Sequence, residues 1–227
     1  MTDLPEHPEL PEFAHPPVGP DAGDFGLPSR WNRLLPGSPE LGAGLVAAYG
    51  APTRRYHDLR HLHGVLDAVA TLAAEAAEPS LVELAGWFHD AVYDVHRQDN
   101  EEQSARLAES ALPPAGLKSE QVAEVARLVR LTANHDPAEA DNNGAVLCDA
   151  DLSILASHPE SYAAYVRAVR REYAHVSEGE WRVGRAAVLE QLLDLPALFR
   201  TTAGASWEIT ARNNLRTELA SLASRAP

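Results

Sequence analysis

The spacing of apolar residues constrains the fold of this chain more than any other feature. From Arg30 onward, large apolar side chains recur at intervals of three and four residues, whereas the alternation typical of strands is hard to find. The first members of this pattern are Trp31, Leu34, Leu35, Leu41, Leu45, Val46 and Tyr49. Such spacing places the side chains on one face of a helix, so we predict an all-α protein.

Prolines and capping residues divide the pattern into separate helices. We predict one long helix from His57 to Ala77, because Pro79 stops it, and a second helix from the cap Ser80 to Val92. Further helices, separated by prolines and polar loops, are predicted at 101–111, 120–132, 148–156, 160–173, 180–193 and 206–222. Since the chain contains no internal repeat, we expect these helices to form one bundle.

The first 28 residues differ in composition from the rest of the chain. They contain seven prolines and few large apolar side chains. Such a segment buries too little apolar surface to offset the entropy cost of ordering it. We therefore predict a disordered Pro-rich N-terminal tail at 1–28 and a single domain at 29–224, a size that one hydrophobic core usually serves.

Net charge and cysteine content exclude several classes of protein. With 19 basic and 33 acidic residues, the formal net charge is −14, which would repel a nucleic-acid backbone. No apolar run approaches the roughly 20 residues that a membrane-spanning helix needs. Cys148 is the only cysteine, so an intrachain disulfide or a thiolate zinc cluster is excluded. We expect a cytoplasmic monomer or homodimer that binds neither nucleic acid nor membrane.

Ionisable residues interrupt two apolar segments of the chain. His89 and Asp90 lie in the middle of a predicted apolar helix, and Asp151 lies in a second apolar stretch. Burying such groups without partners is costly, whereas a metal ion would satisfy them together. Because adjacent helical residues cannot supply a complete set of ligands, His61 and Asp151 are the best additional donors.

The order of these residues along the chain resembles that of a known family. The elements are Tyr56-His57-x-x-x-His61, Phe88-His89-Asp90, Asn134-His135 and Asp149-Ala150-Asp151-Leu152. In this order they resemble the HD superfamily of metal-dependent phosphohydrolases. The run His89-Asp90-Ala91-Val92-Tyr93-Asp94, followed by Asp99-Asn100-Glu101-Glu102-x-Ser104-Ala105, is similar to uncharacterised bacterial members. The resemblance covers about residues 30 to 222, and four ordered elements are far more specific than one motif.

The resemblance implies an HD-type helical bundle that holds one divalent metal ion. The ligands that it implies are His61, His89, Asp90 and Asp151. His57 is the alternative to His61, and Asp149 is expected beside the ligands rather than among them. The ion would be Mn, Fe, Co, Ni, Zn or Mg, because nitrogen and oxygen ligands without sulfur do not choose among these metals.

The activity implied by the resemblance is hydrolysis of a phosphomonoester or phosphoanhydride bond, in a nucleotide or other small phosphorylated metabolite. A divalent ion activates water, while nearby side chains accept a proton and hold the phosphate. Asp94 is the candidate base, and the further candidates for the catalytic site are His57, His135 and Glu102. The candidates for phosphate contacts are Arg55, Arg185 and Arg212, since guanidinium groups bind phosphate in a bidentate manner.

Two other functions stay open from the sequence alone. Some HD-superfamily proteins are di-iron oxygenases, a function that would need a second set of ligands from His57, His135 and Asp94. The other alternative is a non-enzymatic ligand-binding module in which the metal is structural and its coordination sphere is closed. Metal counting and a test for turnover would distinguish the three functions.

Overall fold

The computed structural model describes residues 25–224, which form ten α-helices and no strand. The helices are α1 (Leu27–Leu34), α2 (Pro39–Tyr49), α3 (Leu59–Leu72), α4 (Pro79–Phe88), α5 (Asn100–Ala111), α6 (Ser119–Leu131), α7 (Asn142–Leu152), α8 (Pro159–Glu172), α9 (Glu178–Asp194) and α10 (Glu208–Ser224). Short 3₁₀ segments follow α3 and α7 and precede α10. The prediction of an all-α, single-domain protein is confirmed.

The helical fold begins slightly earlier than the sequence indicated. Leu27 is fully buried, and Pro28 lies in the first turn of α1, where its missing N–H is not needed. Phe25 also packs against the core, so the predicted tail at 1–28 extends four residues too far into the fold. The rest of that prediction, residues 1–24, lies outside the described residues.

Helix α3 begins two residues later than predicted and ends earlier. The side chain of Asp58 accepts hydrogen bonds from the backbone N–H groups of Arg60 and His61, so Asp58 is the N-terminal cap. The helix ends at Leu72 and continues as a 3₁₀ turn. This cap fixes His61 in the first turn, at the end of α3 that lies nearest the candidate ligands.

Helix α4 is also shorter than predicted. It starts at Pro79, which suits the first turn, so Ser80 lies inside the helix instead of capping it. It ends at Phe88, with His89 as the C-terminal cap. Asp90 therefore belongs to the turn after α4, and its side chain is not restricted to the direction that a continuing helix would impose.

The core lies where α3, α4, α6 and α7 pack together, with α5 against α6 and α1 against α2. Gly86 allows α4 to approach α3 closely, because a Cβ at this position would lie 3.2 Å from Cδ2 of Leu66. Trp31 and Trp87, both almost fully buried, meet edge to face with ring centroids 5.2 Å apart. This packing fixes the positions of α3, α4 and α7, the helices that carry the candidate ligands.

The C-terminal helices cover one end of this core. α10 packs against α9 and against the 3₁₀ segment after α7, and α8 contacts that same segment. None of the helices described for residues 25–224 combines the length and the apolar composition needed to cross a lipid bilayer.

Candidate metal centre

Two buried histidines face each other between the start of α3 and the end of α4. Nε2 of His61 lies 3.0 Å from Nε2 of His89, and the two side chains are 4% and 1% exposed. Nδ1 of His89 lies 2.8 Å from the backbone carbonyl of Gly86. Because a carbonyl only accepts hydrogen bonds, Nδ1 carries the proton, and Nε2 of the neutral ring directs a lone pair toward His61.

Two carboxylates complete this group, and we call His61, His89, Asp90 and Asp151 the His–Asp cluster. Oδ2 of Asp90 lies 3.3 Å from Nε2 of His61 and 3.2 Å from Nε2 of His89. Oδ1 of Asp151, from α7, lies 3.3 Å and 3.6 Å from the same two nitrogens. Ligands bound to one ion at about 2.1 Å stand roughly 3.0–3.4 Å apart, which is close to these spacings.

The compact part of the cluster could hold a metal ion. His61, His89 and Asp151 each offer a ligand atom, and these atoms all lie within 4.8 Å of one another. Across residues 25–224, no other group of three or more histidine, cysteine or acidic side chains has this spacing. Asp90 contacts both imidazoles of the group, so it is the nearest candidate for a fourth ligand.

The two carboxylates of the cluster need positive charge close to them. Burial alone would lower the pKa of His61, but hydrogen bonds to Asp151 and Asp90, together with their charges, raise that pKa to about 10. Burial would also raise the pKa of Asp151, whereas the neighbouring histidines hold it well below its usual range. The two buried carboxylates stay ionised, and the positive charge beside them is supplied by protons on the imidazoles, which a divalent ion bound to the same nitrogens would replace.

Tyr49 and Arg54, which the sequence did not single out, fix the turn that carries Asp90. The hydroxyl of Tyr49 accepts a hydrogen bond of 3.1 Å from the backbone N–H of Asp90. Arg54 donates to the carbonyls of Asp90 and Ala91, at 2.7 and 2.9 Å, and both side chains are buried. The partners of Arg54 are backbone carbonyls, which every residue has. The sequence therefore does not show that Arg54, and not its neighbour Arg55, supports this turn.

His57 lies beside the cluster and is held there by Glu172, at the end of α8. Nδ1 of His57 lies 2.6 Å from Oε2 of Glu172, and Oε1 accepts from the backbone N–H groups of Arg55, Tyr56 and His57. Burial would raise the pKa of Glu172, but these hydrogen bonds and the charge of His57 lower it to about 2. With Nδ1 committed to Glu172, Nε2 is the basic atom of the neutral His57 ring.

These contacts separate the roles of the two histidines near the start of α3. His61 is the one brought within ligand distance of His89 and Asp151, whereas His57 is engaged by Glu172. The geometry therefore favours His61 over His57 as a metal ligand. Glu172 could not be found from the sequence, because it lies 115 positions away from His57.

His135 and Asp149, the other two residues of the sequence motifs, lie on opposite sides of Asp151. Nε2 of His135 lies 2.8 Å from Oδ2 of Asp151, so His135 adjoins the cluster. Asp149, two positions before Asp151, points away from it and accepts from the backbone N–H groups of Arg200 and Thr201. Residues two apart on a helix face nearly opposite directions, so Asp149 secures the 200–204 segment rather than the ligands.

The predicted acids Asp94 and Glu102 lie outside the cluster. Asp94 is exposed, and its Oδ1 accepts from the backbone N–H of His96. Glu102 forms exposed ion pairs with Arg130 and Arg106, at 2.6 and 2.8 Å. The structure therefore keeps Asp94 on the turn that follows Asp90 but directs Glu102 to another surface.

The three predicted phosphate-binding arginines also have different surroundings. Arg55 is exposed and donates to the carbonyl of Pro52, so its guanidinium group is accessible. Arg185 is buried and donates to both carboxylate oxygens of Glu218, at 2.7 and 3.0 Å. Arg212 is held by Glu208 and by two backbone carbonyls at the end of α9. Only Arg55 is free to contact a ligand without losing an ion pair.

Comparison with known proteins identified no relative of this chain. A scan against protein-family models found no match, and searches of curated proteins and of solved structures found none either. The resemblance to the HD superfamily stays a prediction that depends on the order of the sequence motifs.

Proposed function

We propose that this protein is a metal-dependent phosphohydrolase that cleaves a phosphomonoester or phosphoanhydride bond in a nucleotide or other small phosphorylated metabolite. The proposed ligands of its single divalent ion are His61, His89, Asp90 and Asp151. The supporting observation is that Nε2 of His89, whose Nδ1 is held by the Gly86 carbonyl, is directed at the same point as His61 and the two carboxylates. Two ionised carboxylates and two imidazole nitrogens, which release their protons when a metal binds, match the needs of a divalent cation.

When bound, the ion would lower the pKa of a water molecule and polarise a phosphoryl oxygen. It would also reverse the local field, so that an anionic substrate can enter a protein of net charge −14. The protein's own part is to hold the ligands rigidly. Gly86 fixes the tautomer of His89, while Tyr49 and Arg54 fix the backbone of Asp90.

His57 is the best-placed group to move a proton during hydrolysis. Its ring lies against that of His61, with centroids 5.5 Å apart, and Glu172 fixes its orientation. In the neutral ring Nε2 accepts a proton, and the imidazolium that forms is stabilised by the carboxylate of Glu172. Asp94, the base predicted from the sequence, is exposed on the turn beyond Asp90 and has no comparable support.

The experiment is an assay of phosphate release by protein loaded with Mn²⁺, Zn²⁺ or Fe²⁺, against nucleotides and sugar phosphates. Asp90→Ala and Asp151→Asn should abolish turnover. Asp136→Asn is the matched control, because Asp136 is an exposed carboxylate that pairs with Arg200 and lies outside the His–Asp cluster. Turnover that survives Asp90→Ala would contradict the proposed site.

Metal content and oxygen consumption decide between this proposal and its alternatives. We expect one ion per chain and no oxygen consumption. Two iron ions with oxygen consumption would instead identify a di-iron oxygenase. One tightly held ion with no exchangeable water and no turnover on the panel would identify a structural metal in a non-enzymatic module.

A further inference from the structure

A cleft lies next to the surroundings of His57 and does not include the His–Asp cluster. Its volume is about 580 Å³, and its walls are the 53–55 segment, the 93–96 turn and the end of α8 with His175. It shares Glu172 with the environment of His57, and the Tyr93 ring that lines it stacks on the His57 ring at 4.0 Å. A ligand in this cleft would therefore be separated from His57 by the ring of Tyr93.

The cleft presents positive charge in an otherwise acidic protein. Arg55 and Arg171 both line it, both are exposed, and within residues 25–224 neither pairs with a carboxylate. Their hydrogen bonds go to backbone carbonyls, those of Pro52 and Arg54 for Arg55 and that of Arg167 for Arg171. Most of their N–H donors are therefore available to a ligand.

The acidic residues at the cleft do not cancel this charge. Both oxygens of Glu172 are occupied, by three backbone N–H groups and by His57. Asp94 is the remaining acid, and one of its oxygens accepts from the backbone of His96. His96 and His175, whose rings lie 4.3 Å apart, add further nitrogen atoms at the rim.

The walls of the cleft are held in place by contacts that need no ligand. The side-chain amide of Asn100 forms reciprocal hydrogen bonds of 3.0 Å with the backbone N–H and carbonyl of Asp94. The hydroxyl groups of Tyr93 and Tyr173 lie 3.3 Å apart and join the turn to the end of α8. A preformed cleft with unpaired guanidinium groups loses little entropy when it binds an anion.

We propose that this cleft is a phosphate-binding site, in which Arg55 and Arg171 hold the oxygens of a phosphate group. Planar guanidinium groups match tetrahedral phosphate through paired hydrogen bonds, which the compact ammonium of lysine cannot form. In the proposed reaction, the phosphate held here is a second one on the substrate, distinct from the one that is hydrolysed. This part depends on the proposed function and names the substrate class as small metabolites with two phosphorylated positions.

Binding of inorganic phosphate to the chelator-treated protein, measured by calorimetry, tests the site without a metal. We expect one phosphate per chain. The double variant Arg55→Gln/Arg171→Gln should weaken binding at least tenfold, whereas Arg167→Gln should leave it unchanged. Arg167 is the matched control, because it is exposed on the same helix one turn earlier and does not line the cleft. No saturable binding, or binding unaffected by the double variant, would overturn the proposal.

The Mn²⁺-loaded protein separates this proposal from the proposed function. We expect two phosphates per chain, one of which is lost in the double variant and the other in Asp151→Asn. If the loaded wild type binds only one phosphate, and the double variant removes it, the cleft site stands and the metal site fails. If Asp151→Asn removes the only one, the cleft proposal fails.

A pair of sugar phosphates tests whether the second phosphate belongs to the substrate. Fructose 1,6-bisphosphate should bind the Mn²⁺-loaded protein at least tenfold more tightly than fructose 6-phosphate. The double variant should remove this preference and leave the affinity for the monophosphate unchanged. Equal affinities in the wild type would overturn the assignment of the cleft to a bisphosphorylated substrate and would leave only a site for free phosphate.

Discussion

Two buried clusters of charged residues in this protein differ in the source of their positive charge. The C-terminal cluster consists of Arg185 and Glu218, whose side chains are 8% and 5% exposed. The guanidinium group donates to both carboxylate oxygens, and the hydroxyls of Tyr162 and Tyr165 provide further hydrogen bonds. One positive and one negative charge meet there, and no other ion is required.

The His–Asp cluster is similarly buried, but its positive charge can be exchanged. Its two carboxylates stay ionised, and the positive charge beside them comes from protons on His61 and His89, whose pKa values those carboxylates raise. Burial of charge therefore does not by itself mark a functional site. A guanidinium group keeps its charge permanently, whereas the protons on imidazoles can be replaced by a metal ion that binds the same nitrogens.

The largest expected effect tests the His–Asp cluster. Asp151→Asn removes one of the two negative charges, and we expect turnover of any substrate found on the panel to fall on the order of 10³ to 10⁴-fold. Metal content per chain, measured on the same preparation, should fall with it. Full turnover with full metal content would remove the distinction between the two clusters.

The next effect tests the pair of Arg185 and Glu218. Arg185→Met leaves the carboxylate of Glu218 buried without its cation, and we expect the free energy of unfolding to fall by about 3–5 kcal/mol. Urea denaturation measures this loss. Adding Glu218→Gln should restore a large part of it, because the unpaired charge is then gone. Metal affinity should not change in either variant, and a loss of metal would contradict the structural role of this pair.

Metal binding should stabilise the fold through only one of the clusters. At a free metal concentration 100 times the dissociation constant, we expect about 2.7 kcal/mol of stabilisation, seen as a higher melting temperature. Arg185→Met should show the same increment over its own metal-free form. Asp151→Asn should show little or none. An equal increment in Asp151→Asn would place the bound metal elsewhere.

Glu172 sharpens the comparison, because it is a buried carboxylate that is satisfied by N–H groups and still adjoins the proposed site. Glu172→Gln keeps one acceptor oxygen but removes the charge behind His57, so we expect kcat to fall by about tenfold with KM little changed. A changed pH profile of kcat would show that Glu172 acts on the proton-transfer step at His57. An unchanged profile with reduced stability alone would make its role purely structural.

The same residue gives the smallest expected effect, a dependence of stability on pH. Its pKa falls from the ordinary 4.5 to about 2 on folding, so its contribution to stability is complete above pH 4.5 and is lost as the pH falls toward 2. Urea denaturation at pH 6 and pH 3 should therefore show a larger loss for the wild type than for Glu172→Gln. Equal losses would contradict the assigned pKa.

Helix content and the main apolar faces could be predicted from the sequence, but several helix ends could not. Helix α3 starts at Leu59 because Asp58 caps it, and α4 starts at Pro79 because proline suits a first turn. In both places the predicted and the observed start lie within two residues of each other, and the free energies of such alternative starts differ by about 1 kcal/mol. Such small differences are decided by the packing of the whole domain.

Of the candidate site, the sequence supplied the histidines and acids but not the residues that support them. His61, His89, Asp90 and Asp151 interrupt apolar segments, and this local signal is readable without a structure. Tyr49, Arg54 and Glu172 act on backbone groups or across long sequence separations, and such contacts leave no periodicity or motif. Arg185 was predicted to contact phosphate but is paired with Glu218. An arginine in a sequence does not reveal whether an acid already neutralises it.

By itself, the sequence determined that this protein is helical and which side chains have the chemistry to bind a divalent ion, because both depend on residue type and local spacing. Only the tertiary structure decided that His61 rather than His57 faces His89, and that Arg185 is paired with an acid whereas, within residues 25–224, Arg55 and Arg171 are not. The physical reason is that coordination and charge balance depend on distances between atoms far apart in the chain, which packing alone sets.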